Sequence, residues 1–251
     1  EKVEPPGDPI PINVEPFAIP DATPEDAEIR AAVKDGLKRG RAGGASQFKA
    51  EHVKQWLKDV EEEEKAERDG STGVRGLGDR WRIFVRLVRA IWETGTVPRQ
   101  MMWVIVVLLP KGGGDFRGIG LLEPFWKVME IIMDSRLHVV EFHDCLHGFV
   151  KGKGCGTAGI EAKLVQQLAF IEQHPLYVIF IDLKKAYDAM DRERCREILV
   201  GYGVGPNMLR LILFFWDNAL LVCRASGRYG PEFQANRRIT QGGPLSPKLF
   251  N

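Results

Sequence analysis

The sequence predicts a mixed α/β fold with a helical N-terminal part, on three observations. Three segments before residue 98 place apolar residues at helical spacing. Residues 101–109 form a continuous apolar run rich in β-branched side chains, the pattern of a buried strand. From residue 101 onward, short apolar runs of strand length alternate with longer helical patterns. A chain of 251 residues that is 44% hydrophobic and 27% charged can bury a sizeable core, in one large domain or two small ones.

Taken in order, residues 1–24 hold seven prolines and read as an extended segment outside the core. Thr23-Pro24-Glu25-Asp26 reads as a helix start, with Thr23 as the cap and the acids at the positive helix end. Ile29, Val33 and Leu37 continue that helix at four-residue spacing, and the glycine-rich stretch 40–46 ends it. A second helix is expected over 50–60, with Val53, Trp56, Leu57 and Val60 on one face. The acidic run Glu61 to Glu64 and the glycine-rich stretch 69–78 read together as a solvated connector spanning 61–78. Residues 81–92 return to helical spacing through Trp81, Phe84, Val85, Val88, Ile91 and Trp92. Beyond the 101–109 strand, helices are expected over 125–140 and 157–172. A short strand over 177–181 then precedes helices at 191–202 and 207–217. Strands over 220–225 and 233–239 close the series, and no internal repeat is present. Three parts result: 1–24, 25–98 and 99–251.

The net charge of +1 hides an asymmetry. Residues 1–69 carry 11 basic and 17 acidic groups, whereas residues 70–251 carry 24 and 17. A basic body permits a polyanionic partner without demanding one. The four cysteines lack a C-x-x-C spacing, which argues against a zinc knuckle and a disulfide framework and points to an intracellular compartment. The longest apolar run has nine residues, against the roughly 20 of a membrane span.

Four strings carry chemistry. In the first, 177–204, Asp182 ends an apolar run; it reads either as a site carboxylate aimed out of a strand end or as the cap of the next helix. Tyr187 reads as a cavity or a core residue, and Asp188 and Asp191 as caps or turn acids. In the second, 237–251, the Gly242-Gly243-Pro244 corner beside Gln241 suits either a close backbone approach to a ligand or a plain turn into a helix. In the third, 104–122, Lys111 and Arg117 flank a glycine loop, which suits a triphosphate or a solvated basic hairpin. It lacks the G-x-x-x-x-G-K-[ST] order, so a Walker ATPase is not supported. The fourth, 147–158, alternates Gly with Lys151 and Lys153, consistent with backbone amides and ammonium groups beside phosphates. His147 has no His or Cys at metal-ligand spacing.

In this order the four strings resemble the fingers and palm of a reverse transcriptase, nearest to the non-LTR (LINE-like) retrotransposon group. FIDLKKAYDAMDR looks like the first palm motif and QGGPLSPKLFN like the second; LLPKGGGDFRGIGLL is similar to the fingers motif and HGFVKGKGC to the His-Gly-Phe box. The resemblance extends over about residues 40–251 and implies a right-hand polymerase fold: fingers and a partial palm over 99–251, with an incomplete antiparallel palm sheet. It implies RNA-directed DNA polymerase activity, with an RNA template, a DNA primer and a dNTP as partners and no membrane. Residue by residue, Asp182 would be a catalytic, metal-binding carboxylate and Leu183 would lend its carbonyl. Tyr187 would stack under the deoxyribose, Lys111 and Arg117 would hold the triphosphate, and Gln241 and Gly242 would line the nucleotide and template side. The implied cofactor is Mg²⁺, with Mn²⁺ as a substitute, in a pair about 3.5–4 Å apart.

Two departures stand out. Gly118 follows Arg117 where the family usually has Pro, which loosens the loop. The Tyr-x-Asp-Asp motif is absent from the 251 residues, and one carboxylate cannot hold two ions. The chain, which also lacks an initiator Met, therefore reads as a segment of a longer protein, unable to polymerise alone. A group II intron-type enzyme and a non-catalytic RNA-binding relative are the alternative readings.

Overall fold

In the computed structural model, which describes residues 15–71, 75–183, 186–225, 227–234 and 242–251, two apolar strands lie side by side at the centre of a four-stranded sheet. They are β1 (Trp103–Gly112) and β3 (Leu220–Ala225), paired in parallel from Trp103↔Leu220 to Val107↔Arg224. β2 (Asp115–Leu121) pairs antiparallel with β1, and β4 (Arg228–Gln234) antiparallel with β3, giving the order β2-β1-β3-β4. The sheet is therefore mixed, where an antiparallel one was expected. A long, mainly helical crossover separates β1 and β3 in sequence, and such a connection brings two strands together in the same direction. The part of the expected last strand beyond residue 234 lies outside the described residues.

The helical front forms where its apolar spacing places it. α1 (Asp26–Ala31) continues through a π turn at Ala32–Gly36, and α3 (Asp79–Thr94) buries all six residues from Trp81 to Trp92 that mark its apolar face. Thr23 does not cap α1; the helix opens after Glu25, and the Thr23 hydroxyl donates to Glu93 instead. α4 (Pro124–Arg136) opens with proline, which has no N–H to leave unsatisfied. α8 (Pro206–Asn218) does the same and buries Met208, Leu211, Ile212, Phe215 and Trp216. These helices and the inner residues of β1 and β3 share one core.

Described residues of two segments expected outside the core are buried in it. α2 (Ala50–Arg68) runs eight residues into the span read as a connector. Glutamate is a good helix former, and Glu63 turns inward, only 3% exposed, to accept the backbone N–H groups of Gly76 and Gly78. Arg82 closes the site at 3.0 Å. These donors hold the Glu63 carboxyl below its usual range, the two backbone N–H groups first. In the proline-rich segment, Ile19 is buried and Phe17 meets Tyr202 edge-on at 5.8 Å.

The remaining helices are α5 (Cys155–Ile171), α6 (Ala186–Ala189), α7 (Arg192–Gly201) and α9 (Ser246–Phe250). Asp191 caps α7 by accepting from Arg194 N at 3.1 Å, as read from the sequence. The expected strand at 177–181 does not form: its residues are exposed, Phe180 by 93%, and pair with no strand among the described residues. An extended run needs a neighbour for its N–H and C=O groups. α5 likewise buries none of its residues. No helix among the described residues is long and apolar enough to cross a membrane.

Candidate active site

The third string folds as a hairpin whose turn chemistry explains its glycines. Gly112 pairs with Asp115, which leaves Gly113 and Gly114 as a two-residue loop. Both have positive φ, +62° and +83°, the conformation that matches the twist of a two-residue hairpin and favours glycine. Pro110 pairs with Phe116, so Lys111 is the extra residue of a β-bulge, a device that re-aims a side chain. Arg117 stands opposite Leu109 in the ladder. Both cations are exposed and make no hydrogen bond or ion pair among the described residues. Gly118 faces Val106, and a Cβ there would stand 3.1 Å from its Cγ1, so the position is tight.

The described part of the second string, 242–251, packs onto that hairpin and onto α4. Gly242 has φ +117°, and a Cβ there would collide with the Gly120 carbonyl on β2. A Cβ on Gly243 would collide with the Glu130 carboxylate on α4. The close approach that the glycine pair permits is thus to β2 and α4. Gln241 lies outside the described residues.

The first string meets the second through aromatic and apolar contact. Tyr187 is half-buried on α6, its ring 5.1 Å from that of Phe250 on α9. Burial pushes its phenol above the usual range. Leu183, Ala186 and Met190 share an apolar cavity of about 480 Å³ with residues 248–251. Asp182 is exposed on the loop before α6 and makes no hydrogen bond or ion pair among the described residues, so neither a strand end nor a helix cap holds it. Tyr187 and Gly242 are thereby tied to one body, whereas Asp182 has no such tie. No three His, Cys, Asp or Glu side chains come together among the described residues, so these residues do not complete a cage for a divalent ion.

In the fourth string, the His147 ring bridges the Thr157 hydroxyl at 2.8 Å and Glu161, both on α5, which fastens the box to that helix. Lys153 donates to the Asp144 carbonyl at 2.6 Å, while Lys151 is exposed.

The residues that sequence reasoning missed are buried acids. Glu130 is 7% exposed; Oε1 accepts the Trp126 indole N–H at 2.7 Å and Oε2 the Leu245 N–H at 3.3 Å. Burial pushes its carboxyl up to about 7. Glu123, just before α4, accepts Ser46 N at 2.8 Å and Ser46 Oγ at 2.6 Å, which fixes the glycine-rich stretch 40–46. Nothing in periodicity marks either glutamate; the only signal is that Glu130 sits among apolar residues within the expected helix.

A mixed sheet carrying a basic glycine hairpin, with a glycine corner packed against it, is consistent with a polymerase fingers and palm. Residues 109–251 match the family described as reverse transcriptase (RNA-dependent DNA polymerase). The chain belongs to that family. It is similar to the retrovirus-related Pol polyprotein from type-2 retrotransposable element R2DM of Drosophila melanogaster, 24% identical over 175 residues, which cover 67% of this chain. It is also similar to the retrovirus-related Pol polyprotein from type-1 retrotransposable element R2 of Nasonia vitripennis, 25% identical over 174 residues, or 66% of the chain. The matched region spans 17% of the length of each of these relatives. Both come from retrotransposable elements, in agreement with the non-LTR resemblance of the sequence.

Proposed function

We propose that this chain forms the fingers and part of the palm of an RNA-directed DNA polymerase of the non-LTR retrotransposon type. The reaction is transfer of a nucleotide from a dNTP to a primer 3′-OH on an RNA template. The observation that carries this reading is the meeting of three strings that lie far apart in sequence. The glycine corner at Gly242 rests on β2, the hairpin strand that bears Arg117, and α9 rests on Tyr187. All three lie within the matched residues 109–251.

Each side chain then has a task suited to its chemistry. Lys111, re-aimed by its bulge, is a point charge for the triphosphate, and Arg117 is a planar fork for phosphate oxygens. Their exposure leaves them open to an anion. Tyr187 offers one ring face to Phe250 and supplies bulk against a 2′-OH. Gln241 and Gly242 line the nucleotide and template side. Lys151 and Lys153 face the nucleic-acid backbone, Lys153 steadied by Asp144. Asp182 contributes one carboxylate, and Leu183 its carbonyl, towards Mg²⁺ or Mn²⁺; the described residues do not complete that site. Phosphoryl transfer relies on positioning and on charge neutralisation around the equatorial oxygens, which is what this set of cations and backbone groups can provide.

Primer extension by the intact enzyme on an RNA template with the four dNTPs tests the reading. Activity that falls on Lys111→Ala and Arg117→Ala through a higher KM for dNTP supports it. Unchanged KM in both variants contradicts the assignment of the hairpin to the triphosphate.

A further inference from the structure

The Gly242–Leu245 corner is held from two sides. Gly242 lies against the Gly120 carbonyl of β2, and Gly243 lies against the carboxylate of Glu130. That carboxylate also accepts the N–H of Leu245. One helical turn on, Asp134 takes Lys248 of α9 through both its carboxylate, at 3.1 Å, and its backbone carbonyl, at 2.8 Å. α4 therefore grips the second palm string at successive points. The rest of the pocket around Glu130 is mostly apolar, with Ile212, Phe215 and Trp216 from α8 and Leu249 from α9, and Ser246 of α9 as a further polar side chain. A carboxyl in such a place is costly, and helix packing alone has no need of one. What Glu130 adds over an apolar residue is two acceptor oxygens, one for Trp126 and one for Leu245.

We propose that Glu130 is a positioning residue: its carboxylate fixes the Gly242–Leu245 corner and so sets the wall that this corner presents to the incoming nucleotide. This rests on the reading of Gly242 as part of the nucleotide site. The ionised group accepts both N–H donors. Protonation turns one oxygen into an O–H that faces an N–H, so one of the two bonds weakens. The charged groups facing Glu130 are Lys127 and Asp134 from its own helix, with Lys248 of α9 neutralised by Asp134; α8 presents only apolar groups. Burial raises the carboxyl to about 7, so the corner tightens as pH rises through that value.

Two measurements test this. In ¹⁵N-labelled chain, the Leu245 amide shift follows a titration near pH 7, and Glu130→Gln abolishes it. In primer extension by the intact enzyme, Glu130→Gln raises the KM for dNTP roughly tenfold, the loss of one hydrogen bond to a charged group, and leaves kcat within about twofold. Glu130→Asp recovers part of the affinity and carries the test should the Gln variant fail to fold. A Leu245 amide that does not titrate in the wild-type chain overturns the tie itself. A KM unchanged in Glu130→Gln but raised in Gly242→Ala overturns the positioning role and leaves the nucleotide site intact. A KM unchanged in both overturns the reading of the corner as part of that site, and the proposal falls with it.

Discussion

The ring of Tyr187 lies 5.1 Å from the ring of Phe250, tilted by 31°. These two residues sit 63 positions apart, one in each string read as a palm motif. Their contact leaves the Tyr187 ring half-buried, so the core and cavity readings that the sequence left as alternatives are compatible with one another. Tyr187→Ala is expected to cost roughly 1–3 kcal/mol of stability, as a half-buried ring is lost. It is also expected to lower discrimination between dNTPs and rNTPs. Tyr187→Phe keeps both properties. Urea unfolding and primer extension with each nucleotide set separate the effects, and unchanged sugar selectivity in Tyr187→Ala removes the gate.

Asp21 caps α8 from the far end of the chain. Its carboxylate accepts Asn207 N at 2.9 Å and Met208 N at 2.7 Å, and its carbonyl accepts the Trp92 indole N–H at 3.2 Å. Asp21→Ala leaves two N–H groups of the first turn without their acceptor and is expected to cost about 1–2 kcal/mol. Asp21→Asn retains part of that. A urea midpoint for Asp21→Ala equal to the wild-type value contradicts the cap.

Glu130 makes stability depend on pH. Its folded-state pKa lies near 7, above the ordinary glutamate value, so the folded chain binds more protons than the unfolded one between about pH 4.5 and 7. The associated stability is fully present below that window and is lost as pH rises through about 7. The total change is on the order of 3 kcal/mol. Glu130→Gln removes this component. Denaturation of both proteins at pH 5 and pH 8 checks it: the wild type loses more stability than the variant between the two. An equal loss in both shows that Glu130 does not titrate in that range.

What the sequence disclosed was what repeats locally. The faces of α3 and α8 and the central strands β1 and β3 follow from apolar spacing and β-branched runs. The glycine loop, Lys111 and Arg117 were legible because a two-residue turn needs positive φ and a hairpin brings its flanks together. Polar contacts between distant residues were not. Arg136 holds Glu28 through two N–H groups, at 2.7 and 2.8 Å, and Asp21 reaches across 187 positions to Met208; no period records such pairs. The acidic run 61–64 was misread for a related reason: Glu63 becomes a core residue only once Gly76 and Gly78 aim their N–H groups at it. The run 177–181 has strand composition, but a strand forms only beside a partner, and the described residues give it none.

The central claim is tested most directly by Asp182→Ala in the intact enzyme. Asp182 is exposed and makes no hydrogen bond or ion pair among the described residues, so its loss is expected to change stability by no more than about 0.5 kcal/mol. RNA affinity, set mostly by Lys and Arg contacts to phosphate, is expected to stay within a few-fold of wild type. DNA synthesis on a primed RNA template is expected to vanish. A folded, RNA-binding Asp182→Ala protein that still extends the primer at the wild-type rate would contradict the proposed assignment of Asp182 as the catalytic carboxylate.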